Sequence, residues 1–132
     1  MTLLELRDVT YRYHKTAAAV LCGMSCAFET GKLYAIVGKS GAGKSTLMSL
    51  MAGLDLPDSG EILFEGTPTG KLDLDEYRRR KIAVIYQDFA LFPLLTVLEN
   101  ILYPMELCGL DRAQARQEAK RLAQKVSLPE EL

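Results

Sequence analysis

The spacing of apolar residues predicts three strands at the start of the chain. Residues 3–13 alternate apolar and polar side chains as a strand does, with the aromatics Tyr11 and Tyr13 on one face. Residues 20–29 form a second candidate strand, which a turn at residues 30–32 joins to the third. That third run, residues 33–37, is apolar throughout, as is typical of a parallel strand covered on both faces.

Strand and helix patterns alternate in the middle of the chain. Residues 46–52 are helix-forming, and residues 61–65 predict a short strand after a turn that contains Pro57. Residues 73–81 are charged and predict a short helix. Residues 82–86 form another wholly apolar run and predict a second buried strand, with Gln87 and Asp88 at its carboxyl end.

Two helices are predicted in the last third of the chain. Residues 96–99 read Thr-Val-Leu-Glu, which fits a capping box and opens a helix to about residue 107, with Pro104 expected to kink or break it. Asp111 is a suitable N-cap for an amphipathic helix that extends to residue 126. Its apolar positions recur at spacings of three and four and are Ala115, Ala119, Leu122 and Val126.

Composition is that of an ordinary globular domain with little net charge. Hydrophobic residues make up 48% of the 132 positions, and 16 Lys and Arg against 17 Asp and Glu leave a formal charge of −1. No global field favours nucleic acid or anionic lipid, so no nucleic-acid partner is expected. No secretory signal pattern and no run of roughly eighteen apolar residues occurs, and a cytoplasmic location is therefore expected. The cysteines lack metal-site partners and are expected to be buried thiols: Cys22, Cys26 and Cys108.

A glycine-rich motif directly follows the third predicted strand. Residues 38–45 read GKSGAGKS, a complete G-x-x-x-x-G-K-[ST] phosphate-binding loop between a strand pattern and a helix pattern. Glycines let successive backbone N–H groups converge on phosphate oxygens, and the following helix adds its positive N-terminal end. Lys44 is expected to reach the β- and γ-phosphates, and the Ser45 hydroxyl to ligate Mg²⁺. The sequence therefore predicts a nucleoside triphosphate site.

Four segments together resemble the N-terminal part of an ABC transporter ATP-binding subunit. They are the aromatic run ending at Tyr13, GKSGAGKST at residues 38–46, PDSGEILFEG at residues 57–66 and IAVIYQDFALFPLLTVLEN at residues 82–100. The sequences of these segments are similar to those of the branch that serves lipoprotein release and the export of macrolides and antimicrobial peptides. The resemblance implies an α/β P-loop NTPase fold of the ABC type, with a mixed sheet that includes an antiparallel β part. It also implies one partial domain, with a nucleotide-binding core at residues 1–95 and the start of the helical subdomain at residues 96–132.

The resemblance also implies roles for individual residues, with ATP and Mg²⁺ as ligands. Tyr13 matches the aromatic that stacks on the adenine ring. Gln87 matches the glutamine whose carbonyl joins Mg²⁺ and the attacking water, and whose loop contacts the transmembrane permease subunit. Lys44 and Gln87 are thus the expected catalytic residues, and Ser45 and Gln87 the expected metal ligands. The expected phosphate contacts are Gly38, Lys39, Ser40, Gly41, Ala42, Gly43, Lys44, Ser45 and Thr46.

Several motifs of the resembled family do not occur in these 132 residues. They are the Leu-Ser-Gly-Gly-Gln signature, an apolar strand ending in Asp-Glu, and a switch histidine, since His14 lies beside Tyr13. The Asp would help to hold Mg²⁺ and the Glu would be the general base, so ATP binding without efficient hydrolysis is expected. For the full-length protein the resemblance implies a homodimer of ATP-binding subunits at the inner face of the cell membrane, driving export. Uncovered apolar strands are expected to favour self-association.

Two alternatives remain open at this point. A P-loop small-molecule kinase would use Asp88 on the metal, but it gives no account of residues 89–100. A nucleotide-binding or docking module that does not hydrolyse ATP would use the loop around Gln87 to contact a membrane protein. A reading frame that continues into the Leu-Ser-Gly-Gly-Gln signature and an apolar strand ending in Asp-Glu would favour the ATPase over the docking module.

Overall fold

The computed structural model describes residues 1–14 and 18–128. The chain forms two compact units, the first ending at Ile82 and the second beginning at Ala83. In the first unit the strands are β1 (Thr2–Tyr11), β2 (Leu21–Glu29), β3 (Ser59–Phe64) and β4 (Thr67–Pro68), and the helices are α1 (Lys44–Met51) and α2 (Leu74–Arg80). A 3-10 turn, Thr69–Lys71, follows β4. The second unit holds α3 (Val97–Leu107) and α4 (Arg112–Lys125).

The strands of the first unit form one antiparallel sheet in the order β2-β1-β3-β4. Leu6 of β1 lies opposite Cys26 of β2 and Ile62 of β3, so the alternation of β1 directs a row of apolar side chains to one face. Leu6 and Ile62 are each 1% exposed, which places the core against this face. The two predicted strands at the start of the chain and the short strand near residue 61 are therefore confirmed.

Two helices cover the core of the first unit. Leu47, Leu50 and Met51 of α1 join the buried cluster of the sheet. The α2 helix begins at the side chain of Asp73, which accepts hydrogen bonds from two backbone N–H groups of the first turn. Tyr77 of α2 is buried, and its hydroxyl donates to the carbonyl oxygen of Met51 at 2.8 Å. Both predicted helices of this unit are confirmed, and the second is tied to the first.

The second unit consists of two packed helices and the loop that precedes them. The capping box at Thr96 and Glu99 is present as predicted. Of the kink or break expected at Pro104, the break does not occur, because α3 continues through Pro104 to Leu107. On α4, Ala115 and Ala119 are fully buried in one cluster with Leu102 of α3. The prediction that Leu122 and Val126 also face inward is wrong: they are 36% and 68% exposed, and Ala123, four residues after Ala119, is the buried residue.

The two wholly apolar runs are not strands, contrary to the sequence prediction. Residues 33–37 and 82–86 pair with no strand among the residues that the structure describes. Leu33 and Val37 are 101% and 87% exposed, and Ile85 is 96% exposed. A strand exists only where a neighbour accepts and donates backbone hydrogen bonds, and apolar composition does not supply that neighbour. The antiparallel part of the predicted sheet is thus confirmed, and the two parallel strands are not formed.

The three cysteines differ in burial. Cys22 is exposed, whereas Cys26 and Cys108 are half-buried, so the expectation that all three are buried is wrong. Gly23 separates Cys22 from the inward-facing part of β2, and its left-handed backbone (φ +60°) interrupts the alternation there. Desolvation raises the pKa of the Cys26 thiol.

None of the helices between residues 1 and 128 that the structure describes is long and apolar enough to cross a membrane.

Candidate nucleotide site

The predicted phosphate-binding loop joins residue 37 to the start of α1. The Ala42 N–H donates to the Lys39 carbonyl oxygen at 3.2 Å, which closes a turn within the loop. Gly43, the residue before α1, has φ +84°, and a Cβ placed there would lie 3.0 Å from the Leu21 side chain and 3.2 Å from the Val20 carbonyl oxygen. Position 43 therefore needs glycine both for its conformation and for space. The predicted order, a glycine-rich loop followed by a helix, is confirmed.

The N-terminus of α1 is open to an anion. Within the described residues no side chain caps this helix, and its first turn contains no acidic residue. The first N–H groups of a helix lack internal partners and carry partial positive charge. This end of α1 is therefore a favourable position for an anionic group. Ser45 lies exposed in the first turn, and a hydroxyl oxygen there suits a hard cation such as Mg²⁺.

The ammonium group of Lys44 lies over the phosphate loop. Its Nζ atom donates to the carbonyl oxygens of Gly38 and Lys39 at 2.8 and 2.7 Å. In the described part of the chain no carboxylate forms an ion pair with Lys44. Neutral carbonyls orient the ammonium without cancelling its charge. The charge of Lys44 is therefore available to phosphate oxygens.

Tyr13 lies beside the helix of the phosphate loop. Its hydroxyl shares a 2.7 Å hydrogen bond with the Thr46 hydroxyl, 33 residues away in sequence. Thr46 itself is buried, whereas Tyr13 is 60% exposed. The structure thus brings together the residue expected to bind adenine and one expected to contact phosphate. When Tyr13 is the donor in this bond, the single hydroxyl proton of Thr46 remains for donation to a phosphate oxygen.

Sequence reasoning missed two residues next to Tyr13. Tyr11 packs its ring edge-to-face with that of Tyr13, with centroids 5.3 Å apart and planes at 84°. The Tyr11 hydroxyl donates to Asp55, a residue of the turn after α1. These side chains line a cavity of about 210 Å³ together with Thr46, Ser49 and Leu54. Tyr11 was assigned to the same strand face as Tyr13, but no sequence signal identified Asp55 as its partner.

The contact with Asp55 changes the acidity of Tyr11. The hydrogen bond to Asp55, followed by burial, raises the pKa of Tyr11 to about 12 from an ordinary value of 10.0. A raised pKa in the folded state means that the neutral phenol stabilises the fold below the ordinary pKa. That contribution is lost as the pH rises through about 12.

Asp55→Ala is expected to lower the pKa of Tyr11 towards its ordinary value, because the main cause of the shift is removed. An alkaline titration of tyrosinate absorbance measures this, with Tyr11→Phe identifying the contribution of Tyr11. Tyr77 is the internal control, since burial raises its pKa to about 12 without Asp55. An Asp55→Ala titration that overlays the parent curve would contradict the assigned hydrogen bond.

Gln87 lies in the loop that precedes α3 in the second unit. Gln87 and Asp88 are both exposed in the turn that follows residue 86. The side chain of Asn100 holds the loop: its Oδ1 accepts from the Phe92 N–H at 2.8 Å, and its Nδ2 donates to carbonyl oxygens that include that of Leu95 at 3.1 Å. The Phe92 ring also packs edge-to-face on Tyr103, with centroids 5.1 Å apart. Sequence analysis noted Asn100 within a motif but missed this anchoring role.

Comparison with known proteins decides the family. The sequence pattern of the ABC transporter family matches residues 21–132. The chain belongs to the ABC transporter ATP-binding family. Two dimeric structures of MJ0796, a bacterial ABC transporter cassette, confirm the fold class, an α/β P-loop NTPase. Each is 31% identical to this chain. The TM-score is 0.84 for the form bound to ADP and Pi and 0.86 for the other. Each comparison covers 97% of this chain and 59% of the cassette.

Relatives of this ABC ATP-binding chain come from several branches. The uncharacterized ABC transporter ATP-binding protein YclH of Bacillus subtilis is 35% identical over 98% of this chain and 58% of its own length. The lipoprotein-releasing system ATP-binding protein LolD 2 of Rhodopirellula baltica is 40% identical over 96% and 54%. The spermidine/putrescine import ATP-binding protein PotA of Nitrosomonas europaea is 37% identical over 97% and 34%. The chain therefore spans less than two thirds of these relatives, which include both importing and releasing systems.

Proposed function

We propose that this chain binds Mg-ATP as part of an ATP-binding subunit of an ABC transporter. The observation that carries the proposal is the position of the Lys44 ammonium, held on two loop carbonyls at the uncapped start of α1. The loop from Gly38 to Thr46 supplies the phosphate contacts, and the exposed ring of Tyr13 receives the adenine. Mg²⁺, when bound, offsets phosphate charge, and Ser45 and Gln87 are its proposed ligands.

The proposed binding step exchanges one set of partners of Lys44 for another. Its ammonium leaves the Gly38 and Lys39 carbonyls and donates to phosphate oxygens, where a charge-assisted hydrogen bond is stronger. The first N–H groups of α1 donate to the same phosphates. Gln87 is proposed to orient the attacking water through its side-chain carbonyl. Lys44 and Gln87 are in this sense the catalytic residues.

These 132 residues are proposed to bind ATP without efficient hydrolysis on their own. In-line attack on the γ-phosphate requires a group that positions and deprotonates water. Across residues 1–14 and 18–128, no cluster of three acidic, His or Cys side chains is arranged to hold a metal. The sequence also contains no Asp-Glu strand end. Hydrolysis is therefore proposed to need residues that these 132 do not supply, including residues of a second ATP-binding subunit.

The test is a calorimetric titration of Mg-ATP into the chain, paired with an assay of phosphate release. We expect about one ATP bound per chain, because there is one phosphate loop, and phosphate release no faster than in protein-free buffer. The absence of binding heat with folded protein would refute the proposed site. Robust Mg-dependent turnover would refute the separate claim that hydrolysis needs further residues.

The permease is the proposed membrane partner, through the loop that follows Gln87. Phe89, Leu91 and Leu94 are 80%, 67% and 96% exposed on this loop. Exposed apolar side chains on a loop that is tied by hydrogen bonds to Asn100 favour a protein contact. The chain is accordingly proposed to be cytoplasmic and peripheral at the inner membrane face. Leu94→Asp is the variant to test, since retained binding to permease-containing membranes would contradict this contact.

Export is the proposed direction, and a homodimer the proposed assembly. The 40% identity to a lipoprotein-releasing protein supports the export branch, although an import protein is 37% identical. The dimeric cassette structures support pairing of two ATP-binding subunits. Transport of a substrate by reconstituted subunits decides the direction, and inward movement would overturn it.

A further inference from the structure

The side chain of Tyr11 is immobilised from two sides. Its ring is 6% exposed in the core of the first unit, and its backbone carbonyl accepts from the Val20 N–H at 2.8 Å. Its hydroxyl donates to Oδ2 of Asp55, while Oδ1 of the same carboxylate accepts from the Leu56 N–H at 2.9 Å. Both oxygens of Asp55 are therefore occupied, and the carboxylate holds the end of the Tyr11 ring in one place.

Tyr13 has no such burial, yet its ring is held at two points. The Tyr11 ring contacts it edge-to-face, and its hydroxyl is bonded to Thr46 at 2.7 Å. Its ring is otherwise 60% exposed. An exposed tyrosine ordinarily samples several rotamers, and stacking on a planar base requires one of them. Contacts that select a rotamer before binding increase affinity because less entropy is lost on binding.

We propose that Tyr11, clamped by Asp55, is a positioning residue that holds the Tyr13 ring ready to stack on the adenine base. The inference rests on the proposed ATP-binding function of the same site. Tyr11 does not touch the nucleotide in this arrangement, and it acts through Tyr13. It follows that Tyr11 and Asp55 contribute to affinity for the base and not for the phosphates.

The experiment compares two ligands, Mg-ATP and Mg-tripolyphosphate, the second of which has no base to stack. Tyr11→Phe and Asp55→Ala are the test variants, and calorimetry gives both affinities. We expect each variant to weaken ATP binding about two- to tenfold, as for the loss of one hydrogen bond, and to leave tripolyphosphate affinity unchanged. Asp55→Asn is the intermediate variant: its one carbonyl oxygen can still accept from Tyr11, but the bond from the Leu56 N–H is then lost, so we expect a smaller loss of ATP affinity than for Asp55→Ala. An equal loss for both ligands would mean a merely structural role and would overturn the proposal.

A double-mutant cycle tests whether Tyr11 acts through Tyr13. Tyr13→Ala removes the stacking ring, so adding Tyr11→Phe to it should cause no further loss of ATP affinity. A further loss of the same size as in the parent would overturn the positioning role. Failure of the proposed function is recognised separately, because tripolyphosphate and ATP would then both fail to bind the parent. If the parent binds both ligands and Tyr11→Phe changes neither, only the positioning role is overturned.

Discussion

Lys44→Ala is expected to abolish measurable Mg-ATP binding to this chain. The ammonium is the one cation held on the carbonyls of the phosphate loop among the residues described, and no carboxylate there offsets its charge. Charge-assisted hydrogen bonds contribute about 1.5–3 kcal/mol each. Two such bonds to phosphate oxygens correspond to a loss of affinity of roughly a hundredfold or more. Calorimetric titration of the parent and the variant under the same conditions measures the effect.

Two control variants separate the Lys44 charge from general effects. Lys71→Ala removes an exposed lysine of the 3-10 turn that follows β4 and should retain parental affinity. Lys44→Arg keeps the charge but replaces a compact ammonium by a planar fork, and we expect intermediate affinity. Circular dichroism of each variant checks that the fold is retained. Lys44→Ala binding Mg-ATP within about threefold of the parent, a difference below 1 kcal/mol, would contradict the assigned role.

Local signals explain why much of the chain was predictable from sequence. The N-caps Asp73, Thr96 and Asp111 each accept hydrogen bonds from N–H groups within three residues, so a short window contains the whole interaction. The alternation in β1 and β2 likewise needs only the strand itself. The phosphate loop was found for the same reason, because its glycines, lysine and serine are consecutive. The helices, the strands β1 to β3 and the loop before α1 were therefore predicted correctly, and nucleotide binding by that loop stays a prediction.

Contacts distant in sequence account for what was missed. Residues 33–37 and 82–86 have strand-like composition, but strand formation depends on a neighbour that composition does not specify. The hydrogen bond from Tyr11 to Asp55 spans 44 positions, and Asp55 lies in a turn with no motif of its own. The inward face of α4 is a related case. Its apolar character predicted that Leu122 would be buried, whereas the residues that pack closely against α3 are alanines. In each case a partner in space decided the outcome.

Self-association is expected because residues 33–37 and 82–86 expose apolar side chains. Leu33, Val37 and Ile85 are each more than four-fifths exposed. Apolar side chains on unpaired extended backbone favour pairing with another chain. The chain spans 59% of the solved cassettes that it matches. Sedimentation of the 132-residue chain and of a longer polypeptide tests whether further residues cover these apolar side chains. A monomer at high concentration for the 132-residue chain would contradict the expectation.

Gly60→Ala is expected to prevent folding of the first unit. Gly60 lies in β3 with φ +80°, where the strand crosses the irregular part of β1 between Arg7 and Thr10. A Cβ at this position would overlap the backbone carbonyl oxygens of Arg7 and Asp8. Neither carbonyl can move without shifting β1, an interior strand that also pairs with β2. The cost therefore includes backbone strain and a displaced sheet, and we expect a loss above about 4 kcal/mol, which is a large part of the stability of a small domain.

Gly66→Ala is the matched control, because it separates the cost of backbone conformation from the cost of overlap. Gly66 has the same φ of +80°, and a Cβ there would meet nothing within 4 Å. Its substitution should therefore cost only the left-handed conformation, about 1–2 kcal/mol. Urea unfolding followed by circular dichroism gives the value for Gly66→Ala, and for Gly60→Ala it shows either the loss of the transition or the size of the destabilisation. Since the two glycines share a φ angle, equal destabilisation would show that β3 does not approach the Arg7 and Asp8 carbonyls, whereas a much larger loss for Gly60→Ala would establish that close approach as the reason for glycine.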